Sequence, residues 1–195
     1  MTRKHRLAVL LSGRGSNFEA IADAVESGAI PNAEIVAVVS DVAEARGLAK
    51  ARERGFPAHA VVPAQYGERR AHEAEILRLL DHVRPDLVCL AGYMRLLSPE
   101  FVARWRGRIV NIHPALLPKW PGLGVQRRAL EAGEAESGCT VHFVDEGTDT
   151  GPIILQRRVP ILPGDTEETL SARILEEEHR AYPEAIARVL SELEN

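Results

Sequence analysis

The sequence predicts an α/β fold: a mostly parallel twisted sheet with helices on both faces, then an antiparallel hairpin and a long terminal helix. Three observations predict it. Up to residue 112, short unbroken apolar runs alternate with amphipathic helical stretches, and an unbroken apolar run marks a strand covered on both faces. Strands separated by helices pair in parallel through right-handed crossovers. After residue 114 the pattern changes to two alternating strands around a turn-rich loop, followed by one long helical period.

The elements follow in order. Residues 7–11 form a buried strand, the loop Ser12-Gly13-Arg14-Gly15-Ser16-Asn17 follows it, and Phe18, Ile21, Ala22 and Val25 fall at helical spacing until Gly28. A second strand spans 34–39. A helix over 43–54 ends at Gly55, a residue suited to the left-handed position after a helix. A third strand covers 58–62, and a helix over 67–83 is broken by Pro85. Residues 87–91 make the fourth strand. Ser98 and Pro99 cap and open a short helix, and 108–112 make the fifth strand. This first half is Rossmann-like. Pro114, Pro118, Pro121, Gly122 and Gly124 set an irregular loop before a short helix at 126–132. Strands at 139–144 and 153–159 flank the loop 145–151, and Asp165 with Glu168 gives a capping-box-like start to a final helix from 166. With neither repeat nor linker, residues 1–195 read as a single domain.

The chain has 195 residues, a net charge of -4 and 45% hydrophobic residues, a globular mixture. An acidic total disfavours non-specific nucleic-acid binding, which needs a basic face. Cys89 and Cys139 lie apart in apolar runs and form no CxxC pair, so neither a disulfide framework nor a zinc site is expected, and a reducing cytoplasm fits. The apolar run at 7–11 is too short for a signal segment, and no stretch approaches membrane-spanning length.

Three constellations carry chemistry. The loop from Ser12 to Asn17 opens a helix, where backbone N–H groups and the helix dipole hold phosphate well; it reads equally as a tight strand-to-helix turn capped by Asn17. Asn111 and His113, two apart in a strand, share a face, and Pro114 places them at the carboxyl edge of the sheet, where open α/β folds bind ligands. The alternative is a structural histidine held by backbone. The acidic loop from Asp145 to Gly151 fails the calcium-loop spacing. It is either a solvated turn or the source of a carboxylate that reaches a catalytic histidine. The seven histidines are scattered, and no metal is expected.

Taken together, SGRGSN, AGYMRLLSP, NIHPALLP, VHFVDEGTDTG and GPIILQ resemble, in order and spacing across nearly the whole chain, the phosphoribosylglycinamide formyltransferase family. The resemblance implies a catalytic trio of Asn111, His113 and Asp149. It implies substrate phosphate on Gly15, Ser16 and Asn17, and folate contacts from Arg69, Met94, Arg95, Leu96, Leu97 and Asn111. It also implies a further substrate contact from Glu178. The small-molecule partners would be 10-formyltetrahydrofolate, as formyl donor, and glycinamide ribonucleotide, with no nucleic acid, membrane or metal, in a monomer or homodimer. Asp149 is then expected to favour the charged form of His113. One departure is the run Leu123-Gly124-Val125-Gln126, where many relatives carry a histidine. Methionyl-tRNA formyltransferases and formyltetrahydrofolate deformylases share the central motif but are expected to carry a further domain. A non-catalytic nucleotide-binding module would not need all three of the catalytic trio.

Overall fold

The computed structural model describes residues 3–193. Seven strands form one sheet: β1 (His5–Leu11), β2 (Ala33–Ser40), β3 (Ala58–Ala60), β4 (Leu87–Leu90), β5 (Ile109–His113), β6 (Glu136–Phe143) and β7 (Ile153–Pro160). Their order is β3-β2-β1-β4-β5-β6-β7. The first five run parallel, and β6 and β7 pair antiparallel. Among the described residues six α-helices, α1 (Ser16–Glu26), α2 (Arg46–Glu53), α3 (Arg69–Val83), α4 (Pro99–Arg104), α5 (Val125–Glu131) and α6 (Glu167–Leu193), and one short 3-10 turn (Pro63–Gln65) accompany the sheet.

Side-chain alternation divides the interior into two layers. Leu7, Val9 and Leu11 of β1 join α1, α2 and α6 on one face. Ala8 and Leu10 join Ile76 and Leu80 of α3 and Phe101 of α4 on the other. A strand buried on both sides in this way has no room for polar alternation. The strand order reverses between β1 and β4, which makes the crevice beyond their carboxyl ends the place for a ligand. The loops there are tied together: Ser12 N–H donates to Gly92 O at 3.1 Å, Ser12 Oγ to Asp41 at 2.6 Å, and Met94 N–H to Ser12 Oγ at 2.9 Å.

Several boundaries differ from expectation for tertiary reasons. Helix α2 starts at Arg46, not 43, because its first turn is fixed against the glycine loop: Gly47 N–H donates to Gly13 O at 2.9 Å. A Cβ on Gly15 would lie 2.4 Å from Gly47 Cα. Asn17 does not cap α1. The N-cap is Gly15, left-handed at φ 76, with no side-chain cap. The start of α6 is a reciprocal pair one residue beyond the expected one, Thr166 N–H to Thr169 Oγ1 at 2.9 Å and Thr169 N–H to Thr166 Oγ1 at 3.3 Å. Asp165 instead accepts two bonds from Arg173, at 2.7 and 2.9 Å. Strand β6 begins three residues early, at Glu136. Tyr182 of α6 is fully buried and brings its hydroxyl to Leu90 O at 2.9 Å and Val110 O at 3.0 Å, fastening the helix over the ends of β4 and β5.

Candidate active site

Strand β5 delivers Asn111 and His113 to one face at its carboxyl end, and the antiparallel register sets His142 opposite Asn111 and Thr140 opposite His113. His113 is 5% exposed. Its Nε2 lies 2.9 Å from Trp120 O. A carbonyl only accepts, so Nε2 carries the proton and Nδ1 the lone pair in the neutral ring. Nδ1 faces Asp149 Oδ2 at 3.5 Å.

Asp149 adopts a left-handed backbone at φ 56. Its Oδ2 accepts from Gly122 N–H at 2.9 Å, and its Oδ1 lies 3.6 Å from His142 Nε2. One carboxylate therefore joins the 114–124 loop, β5 and β6. His142 sends Nδ1–H to Phe143 O at 2.8 Å and receives Asn111 Nδ2 at Nε2, 3.3 Å away. The structure thus brings Asn111, His113 and Asp149 together and adds His142, which the sequence reading missed. Alternation along residues 139–144 was the available signal, but only the β5–β6 register pairs His142 with Asn111.

Asp149 favours the charged form of His113, as expected, but burial outweighs it. Burial, the largest influence, pushes the His113 pKa below 6.5 even though the Trp120 carbonyl and Asp149 act to raise it. His113 therefore rests neutral near pH 7. Burial pushes Asp149 up, yet the His142 and His113 imidazoles beside it and the bond from Gly122 N–H hold it below the usual carboxylate range.

A cleft of about 860 Å³ reaches Pro114, the residue after His113, and is lined also by Arg14, Gln126, Ser171 and Glu178. Glu178 is buried, and its Oε2 accepts from Asn17 Nδ2 at 2.8 Å. Burial raises its pKa against the Asn17 bond. Asn17 Oδ1 is buried with no hydrogen-bond partner. Gly15 is buried against Gly47, so its lack of a side chain serves packing, while Ser16 is half-buried at the first turn of α1.

The third group borders the crevice beyond β4. Met94 and Leu96 are 64% and 66% exposed, an unusual placement for two large apolar side chains in one short loop. Arg95 is exposed, and Leu97 packs against the α3–α4 core. Arg69 braces this segment: Nη2 donates to Leu96 O at 2.6 Å and Nε to Glu73 at 3.0 Å. Glu73 in turn accepts Ser98 N–H at 3.0 Å. Arg69 is thus already committed to protein partners. Among the described residues no group of three or more His, Cys, Asp or Glu side chains is placed to hold a metal ion, and no helix is long and apolar enough to cross a membrane.

An amide donor, two imidazoles and a carboxylate at the carboxyl ends of an open α/β sheet define a class of acid–base group-transfer site. Residues 5–186 match the formyl transferase family, and the chain belongs to it. It is 45% identical over 181 residues to phosphoribosylglycinamide formyltransferase of Escherichia coli, covering 93% of this chain and 85% of that protein. It is 52% identical over 190 residues to the trifunctional purine biosynthetic protein adenosine-3 of Drosophila melanogaster, covering 97% of this chain but only 14% of that longer protein. A solved phosphoribosylglycinamide formyltransferase from Brucella melitensis superposes with a TM-score of 0.91 at 51% identity, covering 95% of each chain.

Proposed function

We propose that this protein transfers the formyl group of 10-formyltetrahydrofolate to the amine of glycinamide ribonucleotide, a step of purine biosynthesis. The convergence of Asn111, His113, Asp149 and His142 beside the Glu178 cleft carries the reading, and the activities for which the relatives are named support it. Met94, Leu96 and Leu97 offer an apolar border for a pterin ring, with Arg69 holding their loop. The folate supplies an activated formyl carbon. Ser16, Asn17 and the first N–H groups of α1 receive the substrate phosphate, and Arg14, which lines the cleft, adds charge. Glu178 orients the remainder of the ribonucleotide.

The chemistry follows from the resting state. The amine nitrogen bonds to the formyl carbon, and the bond from that carbon to the folate nitrogen breaks. Asn111 donates to the formyl oxygen as negative charge gathers there, a contribution of about 2.7–4 kcal/mol for a well-placed donor. Neutral His113 takes the amine proton at Nδ1, directly or through a water, and the new imidazolium is stabilised by Asp149. That proton then passes to the departing folate nitrogen. His113 begins as a base and becomes an acid. The buried cysteines need take no part: burial raises both thiols, Cys139 to about 12.

The reading places the enzyme in the cytoplasm, as a monomer or homodimer resolvable by light scattering. The deciding experiment is steady-state formyl transfer with glycinamide ribonucleotide, initiator methionyl-tRNA and water as separate acceptors. Turnover with the ribonucleotide alone is the expected result. Comparable turnover with water makes the protein a hydrolase, and preference for the tRNA moves it to another branch of the family.

A further inference from the structure

Asp149 is unusual in this centre because it is a non-glycine residue held left-handed, with its carboxylate serving three elements at once. Backbone in that region persists only where the surroundings enforce it. The enforcement comes from the loop's own side chains. Asp145 Oδ1 accepts Gly147 N–H at 3.0 Å and the Thr150 hydroxyl at 2.7 Å. Gly147 packs so closely on Thr150 that a Cβ there would meet Thr150 Oγ1 at 2.0 Å. On the strand side, Phe143 N–H donates to Pro152 O at 2.9 Å, and a Cβ on Gly151 would meet Phe143 O at 1.8 Å. The two limbs of the loop are pinned on either side of Asp149.

We propose that Thr150 is a positioning residue for the reaction: its hydroxyl, bound to Asp145 across the loop, holds the Asp149 carboxylate between His113 and His142. The proposal deepens the formyl-transfer reading and rests on it for its kinetic part. Thr150 is exposed, so water competes for its hydrogen bond and its value to global stability is small. Its value lies in direction, because it is the residue next to Asp149 and the bond it makes fixes the turn at that point.

The groups facing His113 are Asp149 from the loop, His142 from β6, Arg128 from α5 and the Trp120 carbonyl. Of the charged ones, Asp149 favours the imidazolium, while His142 and Arg128 oppose it. A carboxylate that drifts away therefore lowers the His113 pKa further.

The test compares the wild type with Thr150→Val, which removes the hydroxyl and keeps the branched shape, and Thr150→Ser, which keeps the hydroxyl. Imidazole resonances of His113 and His142 are titrated by NMR without substrate, and kcat and KM are measured for both substrates. Thr150→Val should lower kcat about tenfold, the scale of a small misplacement of a positioned group, with KM values little changed. Its His113 pKa should fall by about half a pH unit, and Thr150→Ser should restore both. A His113 titration unmoved in Thr150→Val overturns the proposal, as does a loss that appears in KM rather than kcat. The titration needs no acceptor, so it judges Thr150 even if the enzyme proves to use a different one.

Discussion

His113 is the side chain on which the proposed chemistry turns, and in that proposal its environment sets the direction of proton flow. Both ring nitrogens are engaged, one firmly by Trp120 O and one loosely by Asp149. The loose side is where the proposed mechanism has a proton taken up. Replacing His113 by Ala should reduce kcat by about two to four orders of magnitude, the range for a general acid–base group, with KM altered far less. Steady-state kinetics on the purified variant checks this, and near-normal kcat would remove His113 from the mechanism. The depressed pKa also has a sign for stability. A histidine whose folded pKa lies below its unfolded value stabilises the protein fully above about 6.5, and that contribution is lost as pH falls from there through the folded pKa. His179, also pushed down by burial, acts in the same direction. At this scale Asn111 and His113 were legible as a motif, and Asp149 only through the family resemblance. His142 was not, because a single histidine in an apolar strand carries no mark of its partner.

Elements impose what residues alone do not show. The glycine loop reads in sequence as a phosphate cradle, yet its second glycine is fixed first by backbone packing, since α1 and α2 meet at Gly15 and Gly47. Gly15→Ala combines a left-handed φ with a Cβ inside van der Waals contact of Gly47, whereas Gly28→Ala, at φ 79 with nothing within 4 Å, meets only the backbone penalty. The first should therefore cost about 1–3 kcal/mol more than the second, read as the difference in urea midpoints at unchanged slope. Equal costs would show that the two helices can part at this point. The same contact explains why the start of α2 was misread. Apolar periodicity locates a helix, but its first residue is decided by which neighbour its end meets. Likewise the Thr166–Thr169 pair displaced the expected Asp165–Glu168 box, because Asp165 was taken up by Arg173.

At the scale of the whole molecule the fold class, the parallel first half and the antiparallel hairpin follow from alternation and crossover rules and were legible, whereas the strand order with its reversal came only from the structure. Nor was the packing of α6 across both halves legible, since helical period gives a face but no address. That helix contributes Leu170, Ile174, Tyr182, Ile186 and Val189 to the same core as α1 and β1. The consequence is a single cooperative unit. Urea unfolding followed by far-UV circular dichroism and by fluorescence of buried Trp105 should give coincident transitions. Two separated transitions would divide the chain into independent domains.

The bond between Asn17 and Glu178 spans 161 positions. Loop-closure entropy makes such a contact costly to form early, whereas Asn111, His113, His142 and Asp149 are brought together by a local run of β5, β6 and the loop after it. Folding order therefore separates the two halves of the function. The proposed proton-transfer centre assembles from nearby chain, and the wall of the cleft proposed for the substrate closes only when α6 docks. During synthesis from the N-terminus, the glycine loop waits for almost the entire chain to emerge before the cleft has its second side.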